Sequence, residues 1–334
     1  MMTSIGDLAM SFSNRLTNAR IRSDLNTLAQ ELSSGRKSDL RSALAGDVAP
    51  VSVLERSLSN LAAYGTANDE ASLFAETAQT ALEQVGGHLD ALAGAALAMD
   101  NTTDELQIAN FAANAASRFE AVVGALNTSV AGRSLFGGAE TASPPLAPAR
   151  EMLDALAAAL PPVATVQEIS DTVDAWFAPG GAFDTTGYRG ATVPLAPFRM
   201  RPGEAVSFGM DARATEIRAA LAATAKAALL DRGVLDGRPV EASALIGAIA
   251  EDLLGASNRI TALRGDVGVL EERIDAARTR NASEGASARI ALSTLVAADP
   301  YDTATNLQAV QTQLETFFSV TARLSQLTLS GYLR

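Results

Sequence analysis

Apolar residues step by three and four through both ends of this 334-residue chain, and the pattern stops in the middle. Ile21, Leu25, Leu28 and Leu32 form one such stripe, which runs into the break at Ser33-Ser34-Gly35. After a polar stretch interrupted by Gly46 and Pro50, Val51, Leu54, Leu58 and Leu61 resume it, and Leu82, Val85, Leu89, Leu92, Ala96 and Met99 carry it on. Ile108, Ala112, Ala115, Phe119, Val122 and Leu126 make a further helix. Towards the other end, Ile260, Leu263, Val267, Leu270, Ile274 and Ala277 show the same spacing, as do Leu307, Val310, Leu314, Phe317, Thr321 and Leu324. The spacing gathers apolar side chains on one helix face, and a sustained seam of this kind requires a partner helix. Such a chain must pair its ends with each other or with a neighbour.

The joints between helices carry capping signals. Thr102 or Thr103 is expected to cap the helix that follows the polar gap Asp100–Glu105, and Pro300, after Asp299, is expected in the first turn of the last helix. The middle differs. Pro144, Pro145 and Pro148 open it, residues 150–160 and 166–177 have short helical patterns, and 181–210 reads as short strands and turns. Arg201-Pro202-Gly203-Glu204 is a turn between two strands, and Trp176 with Phe177 is expected in the core of this insert. The expected fold is mainly α: an elongated helical bundle or coiled coil formed by both chain ends, with a small α+β insert.

Composition fits thin bundles. The chain is 48% apolar, mostly Ala and Leu, with 5% aromatic residues. The net charge of −12 argues against nucleic-acid binding, which needs a basic face to displace counterions. There is no apolar run of membrane-spanning length, and the opening MMTSIGDLAMSFSNR lacks the features of a cleavable signal peptide. With no Cys there are no disulfides, thiol chemistry or Cys-ligated metals.

Candidate chemistry is sparse. His88, the only histidine, has no second ligand at metal spacing, and no nucleophile elbow occurs. Adjacent acids stand at Asp69-Glu70, Asp104-Glu105, Glu251-Asp252 and Glu271-Glu272. Paired carboxylates can do acid–base work, but neighbours on a helix diverge by about 100°, and a solvated face is the plainer reading. The glycines at 137–138 and 180–181 lack phosphate-loop spacing. No catalytic residue, cofactor or metal is expected. A hydrolase on a helical scaffold is the remote alternative and needs a pocket that gathers His88 or a carboxylate pair. The seams could pack within one chain. Ordering costs about 1–2 kcal/mol per residue, however, so seams this thin favour contact with neighbouring subunits.

Three stretches in order resemble the flagellin superfamily of bacterial axial proteins. Glu31-Leu32-Ser33-Ser34-Gly35-Arg36-Lys37 is similar to the turn after its first terminal helix. Asn127-Thr128, then Gly132-Arg133-Ser134-Leu135-Phe136-Gly137-Gly138 with Thr141 and Pro144, is similar to its exit from the helical core. The third stretch runs from Gln311 through Ala322-Arg323-Leu324-Ser325-Gln326-Leu327-Thr328-Leu329 to Tyr332-Leu333, and within the superfamily it most resembles the hook-associated branch at the hook–filament junction. Ser330-Gly331 departs from that branch, and Gly46–Pro50 departs from the family's usual run after the first turn.

The resemblance implies three layers: residues 1–50 with 298–334 as an inner coiled coil, 51–142 with 211–297 as a rod-like bundle, and 143–210 as an outward insert. It implies a structural subunit of the extracellular flagellum, exported by the flagellar type III apparatus with a chaperone and without a cleaved signal. Its partners would be further copies of itself in a ring, a hook-side hook-associated protein and flagellin; bulk flagellin is the alternative. The residues expected at subunit contacts are Ile21, Leu25, Leu28 and Leu32, with Leu314, Phe317 and Leu324.

Overall fold

The computed structural model describes residues 5–99 and 102–332, with side chains from residue 8 to residue 323. The chain is mainly helical. Its elements are α1 (Ile5–Ser34), α2 (Leu40–Ala43), α3 (Ala49–Ala98), α4 (Glu105–Leu126), β1 (Ser129–Val130), β2 (Arg133–Ser134), α5 (Ala149–Ala159), α6 (Val166–Phe177), β3 (Phe198–Arg201), β4 (Glu204–Val206), α7 (Thr215–Ala228), α8 (Pro239–Val296) and α9 (Pro300–Tyr332). Contacts divide it into two compact units. Unit 1 is 1–61 with 283–334, and unit 2 is 62–282.

Unit 2 holds one continuous hydrophobic core, running from Ala71 in α3 to Ala277 in α8. In it α3 and α8 run antiparallel. Asp69 pairs with Arg278 at 3.0 Å, Gln79 Nε2 donates to the Arg264 carbonyl at 2.7 Å, and Ser257 Oγ donates to Asp90 at 2.6 Å. Residues 143–210 share this core. Phe198 and Phe208 pack on Phe74 of α3, with ring centroids 5.8 and 4.8 Å away. Trp176 and Phe177 are buried against Phe183, as the sequence leads one to expect. The buried Arg218 of α7 binds the carbonyls of Phe177, Ala178 and Arg213 and pairs with Asp184, which fastens the insert to the helices.

The Arg201–Glu204 turn joins β3 to β4, with Gly203 at φ +76°. Two features were not read from the sequence. Residues Phe183–Gly187 form a π-helical turn. Residues 129–134 form a hairpin whose two-residue turn places Ala131 and Gly132 at φ +49° and +74°, the geometry of a type I′ turn. One expectation is corrected. The cap of α4 is Asp104, not Thr102 or Thr103, because its carboxylate accepts from the Leu106 and Gln107 amides at 2.9 and 3.3 Å.

Tyr188 braces the insert. Its hydroxyl donates to the Ala191 carbonyl at 2.8 Å, and Arg213 lies 5.0 Å over its ring. Burial, then the Asp211 charge, pushes its pKa up to about 12. The folded state thus holds this proton more tightly than the unfolded chain, whose tyrosine titrates near 10. The stabilisation is whole below pH about 10 and is lost as pH rises towards 12, by about 2 kcal/mol. Urea unfolding of the protein and of Tyr188→Phe between pH 9 and 12 checks this: the variant's alkaline decline should be shallower.

Candidate assembly surface

Unit 1 is built around a backbone clip. Gly35, at φ +67°, ends α1 with its amide on the Glu31 carbonyl at 2.8 Å. This left-handed residue after a helix is the reason for a glycine here. The chain beyond it pairs with the end of α8. Lys37 N donates to Val296 O at 2.8 Å, Ala298 N donates to Gly35 O at 2.9 Å, and Arg36 bridges Ala297. The buried Glu31 carboxylate accepts from Ser38 N at 2.7 Å and faces Lys37 at 3.7 Å. Asp299 caps α9 by accepting from the amides of Tyr301 and Asp302, with Pro300 as the first helical residue. Thus α1 ends and α9 begins at the same clip, and the two helices pack antiparallel.

That packing covers little. Among the described side chains of α1, Ile21 is the only buried apolar one, at 4% exposure, and α9 has none. Leu25, Leu28, Leu314 and Phe317 are half-buried, and Leu32 is 40% exposed. Leu324 is on α9, but its side chain lies outside the described residues. The structure adds residues the sequence reading passed over. Leu8, Phe12 and Leu16 stand 58%, 64% and 56% exposed. Their i, i+4, i+8 spacing was the available signal. On α9, Phe318 and Val320 are 47% and 49% exposed.

The titratable candidates sit elsewhere. His88 is half-buried on α3, and burial and then the Arg118 charge lower its pKa. Asp69, Glu70, Asp104, Glu105, Glu251, Asp252 and Glu272 are exposed, and Glu271 is half-buried. Glu251 and Asp252 do border a cleft of about 450 Å³ with Asp174, Arg259 and the buried Lys226. Lys226 Nζ donates to Asp252 at 2.7 Å and Asp174 at 3.0 Å. Burial alone would lower its pKa, but the two carboxylates outweigh that and raise it. The ammonium therefore stays charged and ties α6, α7 and α8 together. No helix among the described residues is long and apolar enough to cross a membrane.

Family comparison follows these two ends. Residues 5–141 match the family model of the bacterial flagellin N-terminal helical region, and residues 252–333 match that of the bacterial flagellin C-terminal helical region. Together the matches span about two-thirds of the chain. Among solved structures, the chain is similar to a candidate flagellar hook-associated protein of Vibrio parahaemolyticus. The identity is 13% and the TM-score 0.49, over 73% of this chain and 95% of that one. Curated protein sequences give no match.

Proposed function

The chain belongs to the flagellin superfamily of structural flagellar subunits, and from that premise we propose that it is the adaptor joining hook to filament. One observation carries the assembly reading. The terminal helices α1 and α9, of 30 and 33 residues, bury a single apolar side chain between them among those described. Ordering helices of that length costs about 1–2 kcal/mol per residue, and the missing apolar cover is supplied by neighbouring copies. Ile21, Leu25, Leu28, Leu32, Leu314, Phe317 and Leu324 line those contacts, joined by Leu8, Phe12 and Leu16. Contacts between unlike faces of successive copies propagate rather than close.

Charge supports the same division of labour. Unit 2 holds 28 acidic against 16 basic side chains, and unit 1 holds ten of each. Copies can therefore approach through unit 1 without net repulsion, while the whole negative charge lies on unit 2. In this reading residues 1–50 with 298–334 form the inner layer, 51–142 with 211–297 the bundle, and 143–210 the outward insert. The partners are further copies, a hook-side hook-associated protein, flagellin and an export chaperone, and the route out is the flagellar type III apparatus. The Ala322–Leu329 run favours junction over filament; Ser330-Gly331 favours the second reading, bulk flagellin.

A deletion strain separates the two. A junction protein's loss leaves flagellin in the medium with hooks that carry no filament. A bulk flagellin's loss leaves no flagellin to shed, and its purified form grows long filaments alone.

A further inference from the structure

α3 and α8 carry strict seven-residue repeats. On α3, positions 54, 61, 68, 75, 82, 89 and 96 are Leu, Leu, Asn, Ala, Leu, Leu and Ala; on α8, positions 253, 260, 267, 274 and 281 are Leu, Ile, Val, Ile and Asn. Each repeat thus has one polar member, and both are buried: Asn68 at 0% and Asn281 at 6% exposure. The Asp69–Arg278 ion pair sets residue 69 level with 278, which brings the two amides within about one helical turn of each other. Asn281 Nδ2 donates to the Met200 carbonyl at 2.9 Å, but Asn281 Oδ1 and the entire Asn68 amide have no hydrogen-bond partner in the protein.

Burial changes across this layer. On one side, Ala75, Leu82, Leu89, Ala96, Leu253, Ile260, Val267 and Ile274 are all buried. On the other, the repeat positions Leu54, Leu61, Ala288 and Leu295 are only half-covered, and Val51 and Val296, at the far end of these turns, are the apolar side chains buried there. Opening the helices up to the layer hydrates two amides whose burial is unfavourable. Opening them further would expose Ala71, Phe74, Ile274 and Ala277, which is opposed by the loss of apolar burial.

We propose that Asn68 and Asn281 form a polar stop that ends the cooperative core of the free subunit. The turns 49–66 and 284–296 open readily in the unassembled chain and close when a second copy covers them; this last step rests on the assembly reading above. The stop confines that opening to the turns beyond it and preserves the fold of unit 2.

Hydrogen exchange on the dilute full-length chain tests the stop without requiring assembly. Amide protection should fall at least tenfold between 71 and 66 on α3 and between 277 and 284 on α8. Asn68→Leu should raise protection of residues 54–66 at least tenfold, with a higher melting temperature. Asn68→Ala, which adds no volume, should move it in the same direction if leucine overfills the site. Protection that continues undiminished to residue 51 in the unaltered protein, or a step that stays in place in both variants, overturns the proposal. Absence of the unaltered protein from flagella, with the step intact, would instead count against the assembly reading alone.

Discussion

Leu28→Asp or Phe317→Asp is expected to abolish incorporation of the chain into its assembly while unit 2 stays folded. Both side chains are half-buried in the single chain, so a carboxylate at either position keeps access to water there. The local cost is the loss of part of a Leu or Phe burial, about 1 kcal/mol. Once neighbours cover the same face the carboxylate must be desolvated without a partner, which costs several kcal/mol. At about 1.4 kcal/mol per tenfold, affinity for the neighbouring subunit should drop at least a hundredfold. Phe12→Asp is the cleanest companion, because its ring is 64% exposed and the free chain loses almost nothing. Motility, electron microscopy of hooks and circular-dichroism melting check the three together. Swimming cells with attached filaments would sink the assigned contacts, and a lowered melting transition of unit 2 would mean that the residues serve the fold instead.

The helices themselves were legible because three-and-four spacing is a local property of the chain. So were the Arg201–Glu204 turn and the start of α9 at Pro300, where a single residue's φ restriction decides the geometry. What failed was choice among near-equals and anything set by distant packing. In the polar gap before α4 the sequence points to Thr102 or Thr103 as the cap, and only the backbone geometry selects their neighbour Asp104. Ala131 adopts φ +49° because the flanking strands pair, and an alanine does not announce that in sequence. The candidate surface shows the same limit. Ile21 and Leu32 belong to one stripe, yet the first is 4% exposed and the second 40%, since α9 covers only part of α1. Leu8, Phe12 and Leu16 have the right spacing too, diluted by Ser11, Ser13 and Asn14. Spacing identifies a face that wants cover; the three-dimensional structure is needed to show that the chain does not supply it.

Gly138→Ala should destabilise unit 2 by about 3 kcal/mol, although it adds one methyl group. The glycine has φ +62°, and a Cβ there would stand 2.7 Å from the Val193 carbonyl oxygen and 2.8 Å from that of Ala191. Neither oxygen is free to retreat. The Ala139 amide donates to Val193 O at 2.9 Å, and the Ala191 amide donates to Gly137 O at 2.9 Å, so the two segments hold each other. Phe136, fully buried, anchors one end of the run and receives the Ala212 amide on its carbonyl at 2.9 Å. The left-handed backbone alone costs an alanine about 1–2 kcal/mol, and displacing the paired segment weakens hydrogen bonds worth about 0.5–1.5 kcal/mol each. Gly203→Ala is the matched control. It has φ +76° but nothing within 4 Å of a Cβ, so it should cost only the backbone part. In a unit of this size 1 kcal/mol moves the melting temperature by about 2–4 °C, so Gly138→Ala should melt about 6–12 °C lower and Gly203→Ala about 2–8 °C lower. Equal shifts would mean that the clasp over Gly138 gives way easily. The Leu135–Gly138 run would then owe its glycine to backbone conformation alone, with no contribution from the close passage of residues 191–193.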